Sequence, residues 1–311
     1  MLRSSDVGRR VVVRRRVADA AGRPRFTDLL GELVAADDTT LAVRPDRGGE
    51  VVTVPRGEVE AAKPVPPRRR RISPVLLQHL AADTWPAIHR EPLGDWLLGS
   101  SAGWTRRANS VIAAGDPGLP LPAAVDAVVA WYRRYDSPAR AQLLDESPLD
   151  ALLAERGWVV EAPALALAAP IDRVRTAARP AGLPPVLLSD TPSEDWLGVV
   201  GASKGMPPAA RTVLAGGEPT FAEVRIDGTV AAVGRAAVAD GHVALAAIEV
   251  TPAYRRRGLA RQVMAALADA AFDRAHTAFL QVEADNEAAI ALYERIGFRL
   301  HHRYHYRTAP A

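Results

Sequence analysis

A strand that runs into a proline, three consecutive arginines and a glycine, and then a helix, constrains this chain more than any other feature. Residues 245–250 (LAAIEV) form an apolar run of strand character, and Pro252 closes it because proline has no N–H to give to a ladder. Arg255, Arg256, Arg257 and Gly258 follow, and from Leu259 apolar side chains recur at helical spacing through Val263, Ala266, Leu267, Ala270 and Ala271. A strand therefore feeds a tight, basic, glycine-bearing turn that opens a helix. The free N–H groups at such a helix start, with the positive dipole end behind them, suit a phosphate or diphosphate. A glycine before a helix is also an ordinary turn residue, and an arginine run an ordinary solvated face, so the turn by itself leaves both readings open. Neither the G-x-G-x-x-G nor the G-x-x-x-x-G-K-[ST] phosphate loop is present in it.

The next stretch narrows the choice. A strand at Ala278–Val282 leads to Asp285 and Asn286, a good helix N-cap, and then to a helix carrying Ile290, Leu292 and Tyr293 that Gly297 ends. Residues 245–298 resemble the GCN5-related N-acetyltransferase (GNAT) superfamily. Its acetyl-CoA loop reads [RQ]-x-x-G-x-[GA], which Arg255, Gly258 and Ala260 match. Its N-x-x-A-x-x-x-Y-x-x-x-G-F frame is matched by Asn286, Ala289, Tyr293, Gly297 and Phe298.

The resemblance implies an α/β fold of the α+β GNAT kind with a mixed central sheet. It also implies acetyl-CoA as co-substrate and direct transfer of acetyl to a primary amine. By the same resemblance the main chain of Ile248 to Val250 receives the pantetheine arm. Arg255, Arg257, Gly258, Leu259 and Ala260 hold the pyrophosphate, Asn286 contacts the cofactor arm, and Tyr293 is the acid for the departing thiolate. Tyr293 also fits a plainer role, as an aromatic on the core face of its helix. An amine attacks only when neutral, so a base or a water relay must take its proton. Some relatives place a Glu twelve residues before the Tyr; here that position is Gln281, which cannot ionise. Glu249 and Glu283 are the nearest carboxylates, and Glu249, at the strand end beside the cofactor gap, is the preferred base. The alternative is that Glu249 pairs with the arginine turn and water carries the proton.

Composition excludes other chemistries. The 311 residues contain no cysteine, which removes disulfides, thiol nucleophiles and cysteine metal sites. Of seven histidines only His301, His302 and His305 cluster, and on a strand they alternate faces rather than converge, so no metal is expected. No leader-like segment opens the chain, and its longest apolar run, around Ala162–Ile171, is short and carries two prolines. A soluble cytoplasmic protein with no membrane partner is expected. Residues 1–71 hold 16 of the 39 basic and 10 of the 36 acidic residues, net +6, against −3 for the remainder. Such a basic segment permits nucleic-acid binding, but without interleaved aromatics or a known motif that partner is disfavoured.

Taken in order, residues 7–62 read as short strands (RRVVVRRRV, LLGELVAA, TLAVRP, EVVTVP), giving an SH3-like β-barrel over residues 1–66 and a charged linker over 67–71. A capped helix follows at Ser73–Asp83, then strands at Asp95–Gly99 and Trp104–Ile112, a helix at Ala123–Arg134, a strand at Ala141–Leu144 and a helix at Pro148–Arg156. Here the chain repeats itself: LLAERGWVV at 152–160 parallels LYERIGFRL at 292–300, an offset of 140 residues. Leu153 stands where Tyr293 stands in the second copy, and AAGDPGLPLP replaces the arginine–glycine turn. Residues 72–175 thus read as a degenerate GNAT-like half and 176–311 as the catalytic GNAT domain. In the second half, Ala202–Gly217 reads as a mobile acceptor-side loop, and strands at Thr220–Ile226, Thr229–Val238 and Val243–Val250 as a meander with Asp227-Gly228 at its first turn.

The whole layout, including TRRANSV at Thr105–Val111, resembles an actinobacterial acetyltransferase family. Some of its members are regarded as N-acetylglutamate synthases, and others have been proposed to acetylate proteins such as histones. The preferred acceptor is therefore the α-amino group of an amino acid such as glutamate, which places the chain in amino-acid (arginine) biosynthesis; a protein lysine is the alternative. Arg235, Arg225 and Lys204 are the candidate cations for an acceptor's carboxylates, each equally readable as an ordinary surface charge. A non-catalytic module that senses acyl-CoA or an amino acid is the rival from another class.

Overall fold

The computed structural model describes residues 2–18, 23–46, 49–65, 72–177 and 182–310, and the chain divides into two compact units, Met1–Arg71 and Ile72–Ala311. In the first unit β1 (Arg10–Ala18), β2 (Pro24–Ala36), β3 (Thr40–Pro45), β4 (Val52–Pro55) and β5 (Val59–Pro64) form an antiparallel sheet in the order β4-β3-β2-β1-β5. Val11 and Val13 of β1 point to a core with Leu33, Leu41, Val43 and Val54, while Arg14 and Arg16 point outward to Asp28 and Glu60. This is the period-two alternation of a half-buried strand. A Cβ at Gly31 would meet the Arg44 carbonyl oxygen at 2.0 Å, so β2 and β3 can approach only around a glycine. The expected small all-β unit is present, but closure into an SH3-like barrel is not seen: among the described residues the edge strands β4 and β5 do not pair. The expected linker at 67–71 lies outside the described residues.

The second unit runs α1 (Pro74–Thr84), β6 (His89–Leu93), β7 (Trp96–Ser100), β8 (Val111–Ile112), α2 (Leu121–Arg133), β9 (Arg140–Leu144), α3 (Pro148–Glu155), β10 (Val159–Pro170) and α4 (Ile171–Arg175). It continues with β11 (Val186–Ser189), α5 (Glu194–Lys204), α6 (Pro208–Ala215), β12 (Thr220–Ile226), β13 (Thr229–Ala239), β14 (His242–Val250), α7 (Leu259–Ala270), β15 (Thr277–Glu283), α8 (Glu287–Ile296) and β16 (Arg299–Thr308). Its strands make one mixed eleven-stranded sheet in the order β11-β12-β13-β14-β15-β10-β16-β9-β8-β7-β6. Helix α7 buries Leu259, Val263, Met264 and Leu267 with Val224, Ala232 and Leu245 of the sheet, and α2 buries Val125, Val128 and Tyr132 against Leu98 and Leu143. Among the described residues no helix is long and apolar enough to cross a membrane.

The strand order shows how the two halves are joined. β8 runs parallel to β9, and β14 parallel to β15. The strand next to β15 is β10, from the first half, and the strand next to β9 is β16, from the second. The halves have exchanged their last strands. The β10–β16 register carries the 140-residue repeat: Ala164 pairs with Tyr304, and the pairs Val159–Thr308 and Ala168–Arg299 interchange under the same offset. A local two-fold axis therefore passes by Ala164 and Tyr304. A boundary at 175/176 divides the sequence there, but not the sheet.

Two local expectations are corrected. Trp104–Ile112 is not a strand: a 3-10 turn spans Arg107–Asn109, and only Val111–Ile112 is extended. Asn109 folds that segment, because its Oδ1 accepts from the Ser101 and Gly103 N–H groups at 2.7 and 2.9 Å. Its Nδ2 donates to the Trp104 and Thr105 carbonyls at 2.8 and 2.9 Å. Ala202–Gly217 is not a loop either. It holds the end of α5 and all of α6, whose Pro207 and Pro208 sit at the N-cap and first turn, where a missing N–H costs nothing.

Candidate active site

The central gap of the sheet follows from one interrupted pairing. β14 pairs with β15 only from His242 to Ala244; beyond that the strands part. On its other side β14 keeps β13 but bulges: Val233 pairs with Glu249 and Arg235 with Ala246, so Ala247 and Ile248 face Gly234 alone, with Ala247 at φ +49°. A Cβ at Gly234 would meet Val263 at 2.5 Å and Ile248 at 2.8 Å, so the bulge needs glycine beneath it. The main chain around Ile248 is thereby turned toward a gap with no strand opposite. A cavity of about 800 Å³ fills the gap, lined by Leu245–Glu249 on one wall and Leu280–Glu283 on the other.

The turn beyond β14 has the geometry of an anion cradle. Pro252–Tyr254 form a 3-10 turn, Arg256 has φ +64°, and Gly258 caps α7 at φ +87° with no side chain occupying the helix's first N–H groups. The N–H groups of the first turn of α7 thus have no side-chain partner, and the α7 dipole adds to their field. The arginine side chains lie back on the turn itself. Arg255 Nε donates to the Val250 carbonyl at 3.2 Å, and Arg257 Nη2 donates to the Ala253 carbonyl at 3.2 Å while packing on the Tyr254 ring.

Tyr293 and Asn286 both line the cavity from α8. Asn286 is the helix N-cap; its Oδ1 accepts from the Ala289 N–H at 3.1 Å, which leaves its Nδ2 for a ligand. Gly297, at φ +116°, ends α8 and places Phe298 edge-on to Tyr293, 6.0 Å between ring centres. Burial, and then the charge of Glu249, push the Tyr293 phenol up to about 12, so it is a hydrogen-bond donor throughout the neutral range. Glu249 faces the same space, and its Oε1 accepts from Lys204 Nζ at 2.9 Å and Ser203 Oγ at 3.1 Å. Glu283 is taken by Arg106, which comes from the first half.

Of the cations expected to meet an acceptor, only Lys204 lines the cavity, and it is paired with Glu249. Arg235 is 0% exposed. Its Nε and Nη1 donate to the Leu214 and Thr84 carbonyls at 2.9 and 2.8 Å, and its Nη2 to that of Gly216. It is a structural clamp on the α6 end, held against the ring of Trp85, and burial followed by the nearby charge of Arg107 disfavours its charged form. Arg225 is held by Glu223 and Asp195 at 2.8 and 2.9 Å, away from the cavity. From the sequence the degenerate first half is expected to supply one wall of the acceptor site, and it lines the cavity with Trp85, Gly103, Thr105, Arg106 and Arg107; what sequence reasoning missed was these residues. The TRRANSV segment was visible, but nothing local said which of its arginines would face the gap.

A sheet splayed between a bulged strand and its parallel neighbour, with a glycine-capped helix start beyond the bulge, defines the GNAT class of N-acetyltransferase. Residues 75–307 match the family described as "Probable histone acetyltransferase Rv0428c C-terminal", and residues 5–63 match "Rv0428c N-terminal Sm-like domain". The chain belongs to this Rv0428c family of GNAT enzymes, and its first unit is Sm-like. It is 30% identical to the Mycobacterium tuberculosis protein named probable histone acetyltransferase Rv0428c, over 98% of this chain and 95% of that one. It is 28% identical to the Bacillus subtilis uncharacterized N-acetyltransferase YobR, over 74% of this chain and 96% of that one. In fold it is similar to a GCN5-related N-acetyltransferase from Kribbella flavida, with TM-score 0.58 and 20% identity over 76% of this chain and 95% of that one. It is also similar to a tandem GNAT protein from the clavulanic acid biosynthesis pathway, with TM-score 0.50 and 14% identity over 94% and 82% of the two chains.

Proposed function

We propose that this protein transfers acetyl from acetyl-CoA directly to the primary amine of a small molecule, an amino acid being the first candidate. The observation that carries the reading is that the bulged main chain at Ile248 and the Tyr293 phenol line one cavity, while β14 leads directly into the uncapped helix start at Gly258.

The N–H groups of Arg257 to Ala260 bind the pyrophosphate of acetyl-CoA, with Arg255 and Arg257 adding positive field. The pantetheine arm lies along Ile248 to Val250, and the Asn286 amide donates to it. A backbone N–H at the bulge faces the thioester oxygen, where charge grows as the amine adds. Tyr293 donates its phenolic proton toward the sulfur as the C–S bond breaks. Glu249, oriented by Ser203 and Lys204, takes a proton from the acceptor's ammonium directly or through water, and the neutral amine then attacks. The first half's loop closes the acceptor side, which favours a small amine. The name of the M. tuberculosis relative supports a protein lysine as the second reading.

The deciding experiment mixes purified protein with acetyl-CoA and a panel containing amino acids, polyamines and a histone-type peptide, and follows free CoA. Release with a small amine and none with the peptide supports the reading. Tight acetyl-CoA binding with no release on any amine would replace it by a sensing role.

A further inference from the structure

The cavity wall built by the first half holds a cation that the transfer chemistry does not use. Arg106 faces Glu283, Lys204 faces Glu249, and Arg140 lies 3.5 Å from Glu161. Arg107 also lines the cavity, yet among the described residues its guanidinium meets no carboxylate or carbonyl, and its Nε is buried without an acceptor. It stacks on Trp85 at 5.3 Å from the ring centre, and Arg235 lies over the same ring at 5.0 Å. Two guanidinium groups on one indole, one of them fully enclosed, are an unfavourable arrangement until an anion joins them. The Tyr304 and Tyr306 phenols beside the cavity cannot be that anion, since burial raises both above the ordinary tyrosine value and keeps them protonated. Tyr304 gives its hydroxyl proton to Tyr306, which leaves the Tyr306 O–H as the donor beside a place where a negative group would sit.

Arg107 is presented rather than dangling. Asn109 satisfies four main-chain groups of the segment that carries it, and Trp85 Nε1 donates to Thr105 Oγ1 at 3.3 Å. The site is also separate from the pyrophosphate turn: none of Arg255 to Ala260 lines this cavity, whereas Arg107 shares it with Gln281 and Tyr304. We propose that Arg107, with the Tyr306 hydroxyl, grips a carboxylate of the acceptor, so that the substrate class is a carboxylate-bearing amine. The inference rests on the acetyl-transfer reading for the amine's fate, but not for the carboxylate's binding. A planar fork of donors matches a carboxylate's two oxygens, and the Tyr306 hydroxyl adds one further donor beside it.

The test has a binding arm and a turnover arm. In the first, each of the common α-amino acids and its decarboxylated amine is titrated into the protein–CoA complex by calorimetry. At least one amino acid binds, its decarboxylated counterpart binds about 10- to 100-fold more weakly, and Arg107→Gln removes that preference. Arg107→Lys, which keeps the charge but not the fork, restores part of it. In the turnover arm Arg107→Gln raises the acceptor KM by a similar factor with kcat nearly unchanged, and the Kd for acetyl-CoA does not move. The proposal is overturned if no amino acid binds, if the preference survives Arg107→Gln, or if that variant weakens acetyl-CoA instead. Carboxylate-dependent binding without CoA release would sink the transfer reading and leave Arg107's role standing.

Discussion

Helices α2 and α7 occupy matching places in the two halves, each before the strand that runs parallel to the preceding one, yet only α7 keeps every N–H of its first turn. α7 starts at Gly258 in the left-handed region, and each of its first residues keeps its N–H. α2 has Pro120 at its N-cap and Pro122 within its first turn, which deletes donors where α7 offers them. The next helices differ in the same sense. Tyr293 of α8 borders the cavity, while Leu153 of α3, at the matching position, is 1% exposed inside the core of its own half. Repeated packing can thus persist after the chemistry is lost. The exchanged strands β10 and β16 make each half complete the other's sheet, so the first half is retained as structure and its 101–110 segment is free to serve the second half's cavity.

The strongest way to break this comparison is to remove the phenol. Tyr293→Phe keeps the ring against Phe298 and deletes only the donor, so kcat falls by about 100-fold or more while the Kd for acetyl-CoA stays the same. With the wild-type phenol raised to about 12 by burial and then by Glu249, Tyr293 remains protonated up to that value. It therefore puts no alkaline limb on the kcat–pH profile in the neutral range. Unchanged turnover in Tyr293→Phe would reduce Tyr293 to a packing side chain, the role Leu153 has in the first half.

A smaller effect is expected at the helix starts. Gly258→Val forces a β-branched residue into the φ +87° conformation, a strain of about 1–3 kcal/mol that the turn can relieve only by losing its N–H alignment. The Kd for acetyl-CoA then rises roughly 10- to 100-fold, while Pro120→Gly in the first half leaves it unchanged. Equal sensitivity at the two positions would mean that the first half also binds the cofactor.

What the sequence made legible was local. The turn at Gly258, the N-cap at Asn286 and the stop at Gly297 are set by residues within a few positions of each other, and the structure has them where the motifs put them. The repeat was visible as a 140-residue offset. The strand exchange was not, because which strand lies beside β15 is decided by pairing between residues more than a hundred positions apart. The same distance misled the reading of Arg235, whose three carbonyl partners on Thr84, Leu214 and Gly216 make it a buried clamp. Arg106 and Arg107 are adjacent and chemically identical. That one finds Glu283 and the other, among the described residues, only the ring of Trp85 is a property of the fold alone. Pro- and Gly-rich composition hid α6, since proline at a helix start leaves no mark that separates it from a loop.

Rebuilding the missing phenol should cost stability without adding function. Leu153→Tyr forces a larger, hydroxyl-bearing side chain into a filled core beside Val128 and Leu149, which costs roughly 1–2 kcal/mol in denaturant titration. Turnover is unchanged, because the start of α2 has prolines at Pro120 and Pro122 in place of the glycine-capped turn that precedes α7. A gain in CoA release would show that the first half kept more of its site than its prolines imply.

The smallest effect tests the two-fold axis itself. Gln142 on β9 and Gln281 on β15 both donate from Nε2 to one oxygen, Gln78 Oε1 of α1, and each has its own Oε1 buried without a partner. Replacing either by Leu removes one of two donors to Gln78 and also one unsatisfied oxygen. These terms oppose each other, so Gln142→Leu and Gln281→Leu each change stability by less than about 1 kcal/mol, and by similar amounts. Their effects on catalysis should part company. Gln281 lines the cavity and Gln142 does not, so only Gln281→Leu moves the acceptor KM. A matching shift from Gln142→Leu would mean that the glutamine cluster acts as one unit on the site, and that the exchanged strands transmit changes from the first half to the chemistry of the second.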